Sequence, residues 1–142
     1  MSFPEPNDLN TPVPQSIESL VFLTHVIYAL HAFAVVSGII GSVTILGSFV
    51  ASLPSIVAVI LNYVKRGNVR GTWLESHFRW QIRTFWFAML GFLMGWVLVF
   101  SIVGFIFGFV ILGLASLWVV YRVARGWWRL GERLPMPLPP EV

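Results

Sequence analysis

Two long stretches of the chain carry no charged residue. None lies between Glu18 and Lys65, a run of 46 residues, and none lies between Arg83 and Arg122, a run of 38. A helix needs about 20 apolar residues to cross about 30 Å of hydrocarbon. Each run is therefore long enough for two crossings. The pattern predicts an all-α integral membrane protein whose four transmembrane helices form two hairpins.

The predicted membrane domain covers residues 17–130. Turn signals and small residues place its spans at about 17–40, 43–64, 84–103 and 105–125. The second span contains Pro54, and we expect one kinked helix in which a neighbouring helix satisfies the freed carbonyl. Proline is frequent in the flanking segments 1–16 and 131–142, so we expect both tails to be extended or disordered.

The segment before the third span, residues 72–83, is amphipathic. Its apolar positions recur at helical spacing and form one stripe: Leu74, Phe78 and Ile82. Its charged positions fall on another face: Glu75, Arg79 and Arg83. We therefore expect an interfacial helix that lies at the membrane surface and leads into the third span.

Composition excludes several classes of protein. Hydrophobic residues make up 57% of the chain and charged residues 11%, whereas soluble domains average about 25% charged residues. So few charged side chains cannot cover a soluble domain, which excludes a soluble enzyme, a disordered chain and a nucleic-acid-binding domain. The chain has no cysteine, which excludes disulfides and cysteine-ligated metal sites.

The nine basic residues form two clusters: Lys65, Arg66, Arg70, Arg79 and Arg83, and then Arg122, Arg125, Arg129 and Arg133. With four crossings both clusters lie on one side, which the positive-inside rule assigns to the cytoplasm together with both termini. Five arginines are candidate contacts for anionic lipid head groups or for a partner protein: Arg79, Arg83, Arg122, Arg125 and Arg129. The alternative is a solvated face that only fixes depth and orientation.

Four polar residues of the first span form a candidate intramembrane cluster: Thr24, His25, Tyr28 and His31. Thr24, Tyr28 and His31 share one helix face, whereas His25 lies about 120° away from His31 at 100° per residue. Interhelical hydrogen bonds are one interpretation, and a proton or substrate path is another. A third pairs His25 with His77 as axial ligands of a haem.

Other chemistry-bearing motifs are missing from the sequence. No acidic residue lies inside an apolar run, and no nucleotide-binding loop or HExxH motif occurs. We therefore expect no enzymatic activity, no metal and no cofactor. Glycines at a spacing of four, Gly91 with Gly95 and Gly104 with Gly108, predict close helix packing, either within one chain or between two.

Three stretches carry a family resemblance: THVIYALHAF (24–33), LPSIVAVILNYVKR (53–66) and ESHFRWQIRTFW (75–86). Over about residues 20–130 the chain resembles small proteobacterial inner-membrane proteins of a domain-of-unknown-function family. That family is distantly similar to the twenty-kilodalton subunit of the chloroplast inner-envelope import channel. The resemblance implies four helices, cytoplasmic termini and a bacterial inner membrane, and it supplies no activity or catalytic residue.

The sequence favours a non-enzymatic membrane protein that acts as an accessory, assembly or scaffold subunit. A small homo-oligomeric channel or transporter is the first alternative, and a haem-binding electron carrier is the second. The expected partners are membrane lipids, particularly anionic ones, and a membrane protein or further copies of the chain. Nucleic acid is not expected among them.

Overall fold

The structure is a computed structural model that describes residues 16–41, 45–102 and 104–137. Its elements are α1 (Ile17–Gly41), α2 (Ile45–Lys65), a 3-10 turn (Arg66–Val69), α3 (Leu74–Val99) and α4 (Phe105–Gly131). Three of these helices, α1, α3 and α4, are long and apolar enough to cross a membrane. The all-helical class is therefore confirmed, with three helices that could span a bilayer. Three predicted parts lie outside the described residues: positions 1–15 of the N-terminal tail, the first turn near Ser42, and residues 138–142 of the C-terminal tail.

Two helix pairs make the most extensive contacts, α3 with α4 and α1 with α2, and α1 also packs along α4. The start of α1 meets the chain that follows α4, where an Arg133 Nη atom lies 2.9 Å from a carboxylate oxygen of Glu18. Near the start of α3, the Trp80 indole N–H donates to the Arg122 carbonyl at 3.1 Å. The arginines of α3 and α4 therefore gather at one end of the bundle, which we call the basic end.

The predicted interfacial segment 72–83 is not separate from the third span. Helix α3 begins at Leu74 and continues without a break to Val99. Leu74 and Phe78 of the predicted apolar stripe are fully buried in the protein core. These two side chains therefore pack on other parts of the chain, whereas Ile82, the third member of the stripe, is half-buried.

Helix α2 passes through Pro54 as one helix, Ile45–Lys65. Among residues 52–65 of α2, whose burial the structure describes, Ala58 and Asn62 are fully buried. The core residues of the other elements, such as Ile27, Tyr28 and Leu130, also lie towards the basic end. Between residues 85 and 118, by contrast, the buried positions among those described are Gly95, Gly104 and Gly108.

Glycine sets the distance between α3 and α4 at their crossing. A Cβ atom added to Gly108 would lie 2.5 Å from the Val99 backbone nitrogen and 2.8 Å from the Gly95 carbonyl oxygen. Gly91 similarly faces Ala115, at 3.4 Å from its Cβ atom to an added Cβ. The sequence predicts that these glycines pack helices closely, either within one chain or between two chains. In the structure they pack helices within one chain.

We expect Gly108→Ala to destabilise the protein, because the added methyl group meets backbone atoms that cannot rotate away. Overpacking of this kind costs about 1–3 kcal/mol. Gly113→Ala is the matched control on the same helix, since a Cβ atom there meets nothing within 4 Å. Unfolding of both variants in detergent micelles measures the difference, and an equal stability of the two would contradict the close crossing.

Candidate functional site

The polar residues of α1 divide between two faces as the sequence predicts. Thr24, Tyr28 and His31 are buried, with exposed fractions of 0%, 1% and 8%. The Thr24 hydroxyl donates to the Leu20 carbonyl of its own helix at 2.6 Å. His25 is half-buried on the other face, where its Nδ1 accepts a hydrogen bond from the Trp127 indole at 3.0 Å. One of the four predicted cluster members therefore stands apart from the rest.

A hydrogen-bonded relay through His77 joins α1, α3 and the chain after α4. The Tyr28 hydroxyl lies 3.0 Å from His77 Nδ1, and His77 Nε2 lies 2.8 Å from the Leu134 carbonyl oxygen. Because a carbonyl only accepts, Nε2 carries the proton and donates it. The bare Nδ1 then accepts from the Tyr28 hydroxyl. His77 is fully buried and therefore held as one neutral tautomer.

This relay bears on the haem alternative. An axial haem ligand binds iron through a ring nitrogen. Both ring nitrogens of His77 already make hydrogen bonds, and the His25 Nδ1 accepts from Trp127. Haem ligation would have to break one of these bonds. Within the described part of the chain, no group of three or more candidate metal ligands occurs.

The segment after α4, which the sequence predicts to be extended or disordered, lies against the start of α3. The Met136 backbone N–H donates to the Ser76 hydroxyl at 2.8 Å, and the Met136 side chain is buried. Arg129 donates to the Pro135 carbonyl at 3.1 Å. The exposed Arg133 pairs with Glu18, and this carboxylate raises the pKa of the guanidinium. The prolines exclude a helix here, but the backbone and Met136 still find partners.

Arg122, one of the predicted candidate contacts for lipid or a partner, lies against α3. Its Nε donates to the Thr84 hydroxyl at 2.6 Å, and its guanidinium carbon lies 3.5 Å from the centre of the Trp80 ring. The Trp118 ring is also close, at 4.9 Å. The face of an aromatic ring attracts a guanidinium electrostatically, which an aliphatic side chain at the same place would not do.

The other predicted lipid contacts occupy the surface of the basic end. Arg79 and Arg83, with Arg66 and Ile82, line an open recess of about 220 Å³. Arg125 is exposed and donates to the Tyr121 hydroxyl. The five predicted arginines therefore occupy three places. Arg79 and Arg83 line the recess on α3, and Arg122 packs at the α3–α4 seam. On α4, Arg125 is exposed and Arg129 is half-buried.

A small cavity borders Arg122 and holds polar atoms that the sequence analysis missed. Its lining residues are Tyr28, His31, Trp80, Gln81, Thr84, Arg122 and Val123, and its volume is about 10 Å³, room for about one water molecule. His31 Nδ1 lies 3.0 Å from the Ser55 hydroxyl, while His31 Nε2 and both amide atoms of Gln81 have no protein partner. The spacing of His77, Gln81 and Thr84, at i, i+4 and i+7, is the signal that identifies this buried polar face of α3.

No family model matches the chain, and no curated protein or solved structure matches it either. The family resemblance stated above therefore stays a prediction.

We expect Tyr28→Phe to lower the free energy of unfolding by about 1–2 kcal/mol, because the buried His77 Nδ1 loses its donor. Tyr63→Phe is the matched control: Tyr63 is 47% exposed, and its hydroxyl accepts from the Trp86 indole at the surface. Denaturation in mixed micelles measures both. Losses of equal size would show that the relay contributes no more than a surface hydrogen bond.

Proposed function

We propose that the protein is a non-enzymatic integral protein of a bacterial inner membrane that serves as an accessory, assembly or scaffold subunit. In this proposal it crosses the membrane four times and has both termini in the cytoplasm. Its partners are membrane lipids, especially anionic ones, and a second membrane protein. The apolar surface of the α3–α4 pair is the main observation that supports the proposal.

Four crossings are supported by the length and position of α2. Its 21 residues extend about 32 Å at 1.5 Å per residue, enough for about 30 Å of hydrocarbon. It packs along α1, a helix of sufficient length and hydropathy to cross. It ends at Lys65, on the same side as the arginines of α3. A cytoplasmic orientation of this side follows from the positive-inside rule.

The surface of α3 and α4 supports a role through contacts with other molecules. Between residues 85 and 118 most large side chains of both helices are exposed, including Leu93 at 59%, Ile106 at 74% and Leu117 at 69%. The glycines at the α3–α4 seam bring the two backbones together and leave these side chains pointing away from each other. Such a pair offers apolar surface to lipid and to helices of a partner.

The interior supports a role without chemistry. Tyr28 and His77 bond to each other, and His77 also bonds to a backbone carbonyl, whereas His31 Nε2 and the side-chain amides of Gln81 and Asn62 have no partner among the residues that the structure describes. The cavity beside Arg122 has room for about one water molecule. The bonded polar groups join the helices to one another. The outer surfaces of the helices are then what lipid and a partner protein can recognise.

The topology is tested with single cysteines, which the cysteine-free chain allows without background labelling. Gly67→Cys and Ile102→Cys are suitable sites, because a Cβ at Gly67 meets nothing within 4 Å and Ile102 is 99% exposed. With a membrane-impermeant maleimide on intact spheroplasts, we expect labelling of Cys at 102 alone, and of Cys at 67 after permeabilisation. Labelling of position 67 in intact cells would contradict the orientation.

The accessory role is tested with a photo-crosslinking amino acid at Leu117, on the exposed face of α4. The control carries it at Phe22, which is 71% exposed on α1. We expect Leu117 to give one crosslinked product of defined mass in native membranes, with another protein, at a higher yield than Phe22. Products with a second copy of the chain would favour the homo-oligomeric channel or transporter, and products with lipid alone would contradict both roles.

A further inference from the structure

We propose that the cavity beside Arg122 binds one water molecule, which joins the hydrogen bonds of α1, α2 and α3 into one network. The bonding groups are the Tyr28 hydroxyl, the His31 ring and the Gln81 amide, and all three residues line the cavity. The site lies inside the bundle, where it needs neither lipid nor a partner protein. It therefore goes beyond the proposed accessory role and does not depend on it.

Two buried side chains bring unsatisfied polar atoms to this cavity. His31 is 8% exposed and Gln81 is 2% exposed. Among the described residues, His31 Nε2 and both amide atoms of Gln81 have no hydrogen-bond partner. Buried polar atoms of folded proteins nearly always bond to protein or to ordered water, because an unsatisfied atom lowers stability. We therefore expect a hydrogen-bonding ligand in the cavity that both side chains line.

The Tyr28 hydroxyl adds a third polar group that can still bond. Its proton goes to His77 Nδ1 in the relay, so its oxygen remains able to accept a hydrogen bond. The Thr84 hydroxyl, which also lines the cavity, already makes two hydrogen bonds. The cavity thus presents an acceptor at Tyr28, an amide at Gln81 that both donates and accepts, and one ring nitrogen of His31.

Size and charge select water as the ligand. The cavity volume of about 10 Å³ admits about one water molecule, and a buried water needs about two to four polar partners. The Arg122 guanidinium borders the cavity and repels a cation. An anion only accepts hydrogen bonds, so it would leave the Tyr28 oxygen and Gln81 Oε1 unsatisfied. Water both donates and accepts, and it can therefore bond to all three side chains.

His31 connects the water to α2, because its Nδ1 lies 3.0 Å from the Ser55 hydroxyl. Either tautomer of the ring suits a water molecule, which accepts from an Nε2–H and donates to a bare Nε2. Tyr28 and His31 are three residues apart and therefore adjacent on one face of α1. A water that bonds to both connects the His77 relay with Ser55. The polar groups of α1, α2, α3 and the segment after α4 then form one network.

The water is detected by NMR on the full chain in detergent micelles, with nitrogen-15 supplied only in glutamine side chains. The sequence contains two glutamines, Gln15 and Gln81, so Gln15→Asn leaves the Gln81 amide as the single labelled group. We expect a cross-peak between the Gln81 amide protons and water. In the rotating-frame experiment its sign should indicate a dipolar contact and not hydrogen exchange. Absence of this cross-peak would overturn the proposal, whatever the variants below do.

Val123→Ile should expel the water without removing a polar group. Val123 is 8% exposed and lines the cavity, so the added methyl group takes the space of the ligand. We expect the cross-peak to disappear and the melting temperature to fall. Val119→Ile is the matched control one helical turn earlier on α4, since Val119 is equally buried but is not one of the lining residues. It should keep the cross-peak.

Two outcomes of these variants would overturn the site. A cross-peak that survives in Val123→Ile would arise from a buried hydroxyl that exchanges with bulk water, because that variant keeps the Tyr28 and Thr84 hydroxyls. Loss of the cross-peak in both variants would show that the water does not lie in this cavity.

Exchange of salts separates water from an ion as the ligand. Replacement of chloride by gluconate, or of sodium by ammonium, should leave the chemical shift of the Gln81 amide unchanged. A shift that follows the chloride concentration would overturn the proposal in favour of an anion beside Arg122. A shift that follows ammonium would overturn it in favour of a cation.

Discussion

A polar side chain inside a bundle of apolar helices has no bulk water to bond with, so its partner must come from another part of the chain. In this protein the constraint falls on one end of the bundle. In the relay from Tyr28 through His77 to the Leu134 carbonyl, two hydrogen bonds satisfy three buried polar groups, the Tyr28 hydroxyl and both ring nitrogens of His77. The relay joins α1, α3 and the segment after α4, so the relative positions of all three follow from it.

Close approach of the backbones accompanies these bonds. A Cβ atom on Gly126 of α4 would lie 2.6 Å from Cε1 of the Tyr28 ring, so only glycine lets the hydroxyl end of the ring approach that helix so closely. The Arg122 guanidinium fills the next level, against Trp80 and Thr84. The basic end is thus packed by aromatic rings and a cation, whereas the opposite half of α3 and α4 touches along a narrow line of glycines. The same two helices are therefore closely packed at one end and expose apolar side chains along the other half.

Much of this arrangement could be predicted from spacing along the chain. The uncharged runs indicate long apolar helices, and the period of 3.6 residues places Thr24, Tyr28 and His31 on one buried face. The partners could not be predicted in this way, because His77 is 49 residues from Tyr28 and Met136 is 60 residues from Ser76. Local amphipathicity in residues 72–83 suggested contact with lipid, since periodicity shows that a face is apolar but not what covers it.

The relay also determines the order in which the protein can mature during its synthesis. The 49 residues between Tyr28 and His77 take roughly 2–10 s to translate at about 5–20 residues per second. His31 can meet Ser55 after 24 residues, whereas the Tyr28 hydroxyl is synthesised 49 residues before its acceptor. Until then it must bond to another group. The last bond, to Leu134, forms only when the chain beyond α4 has emerged, so the newly made protein completes its interior at the end of biogenesis.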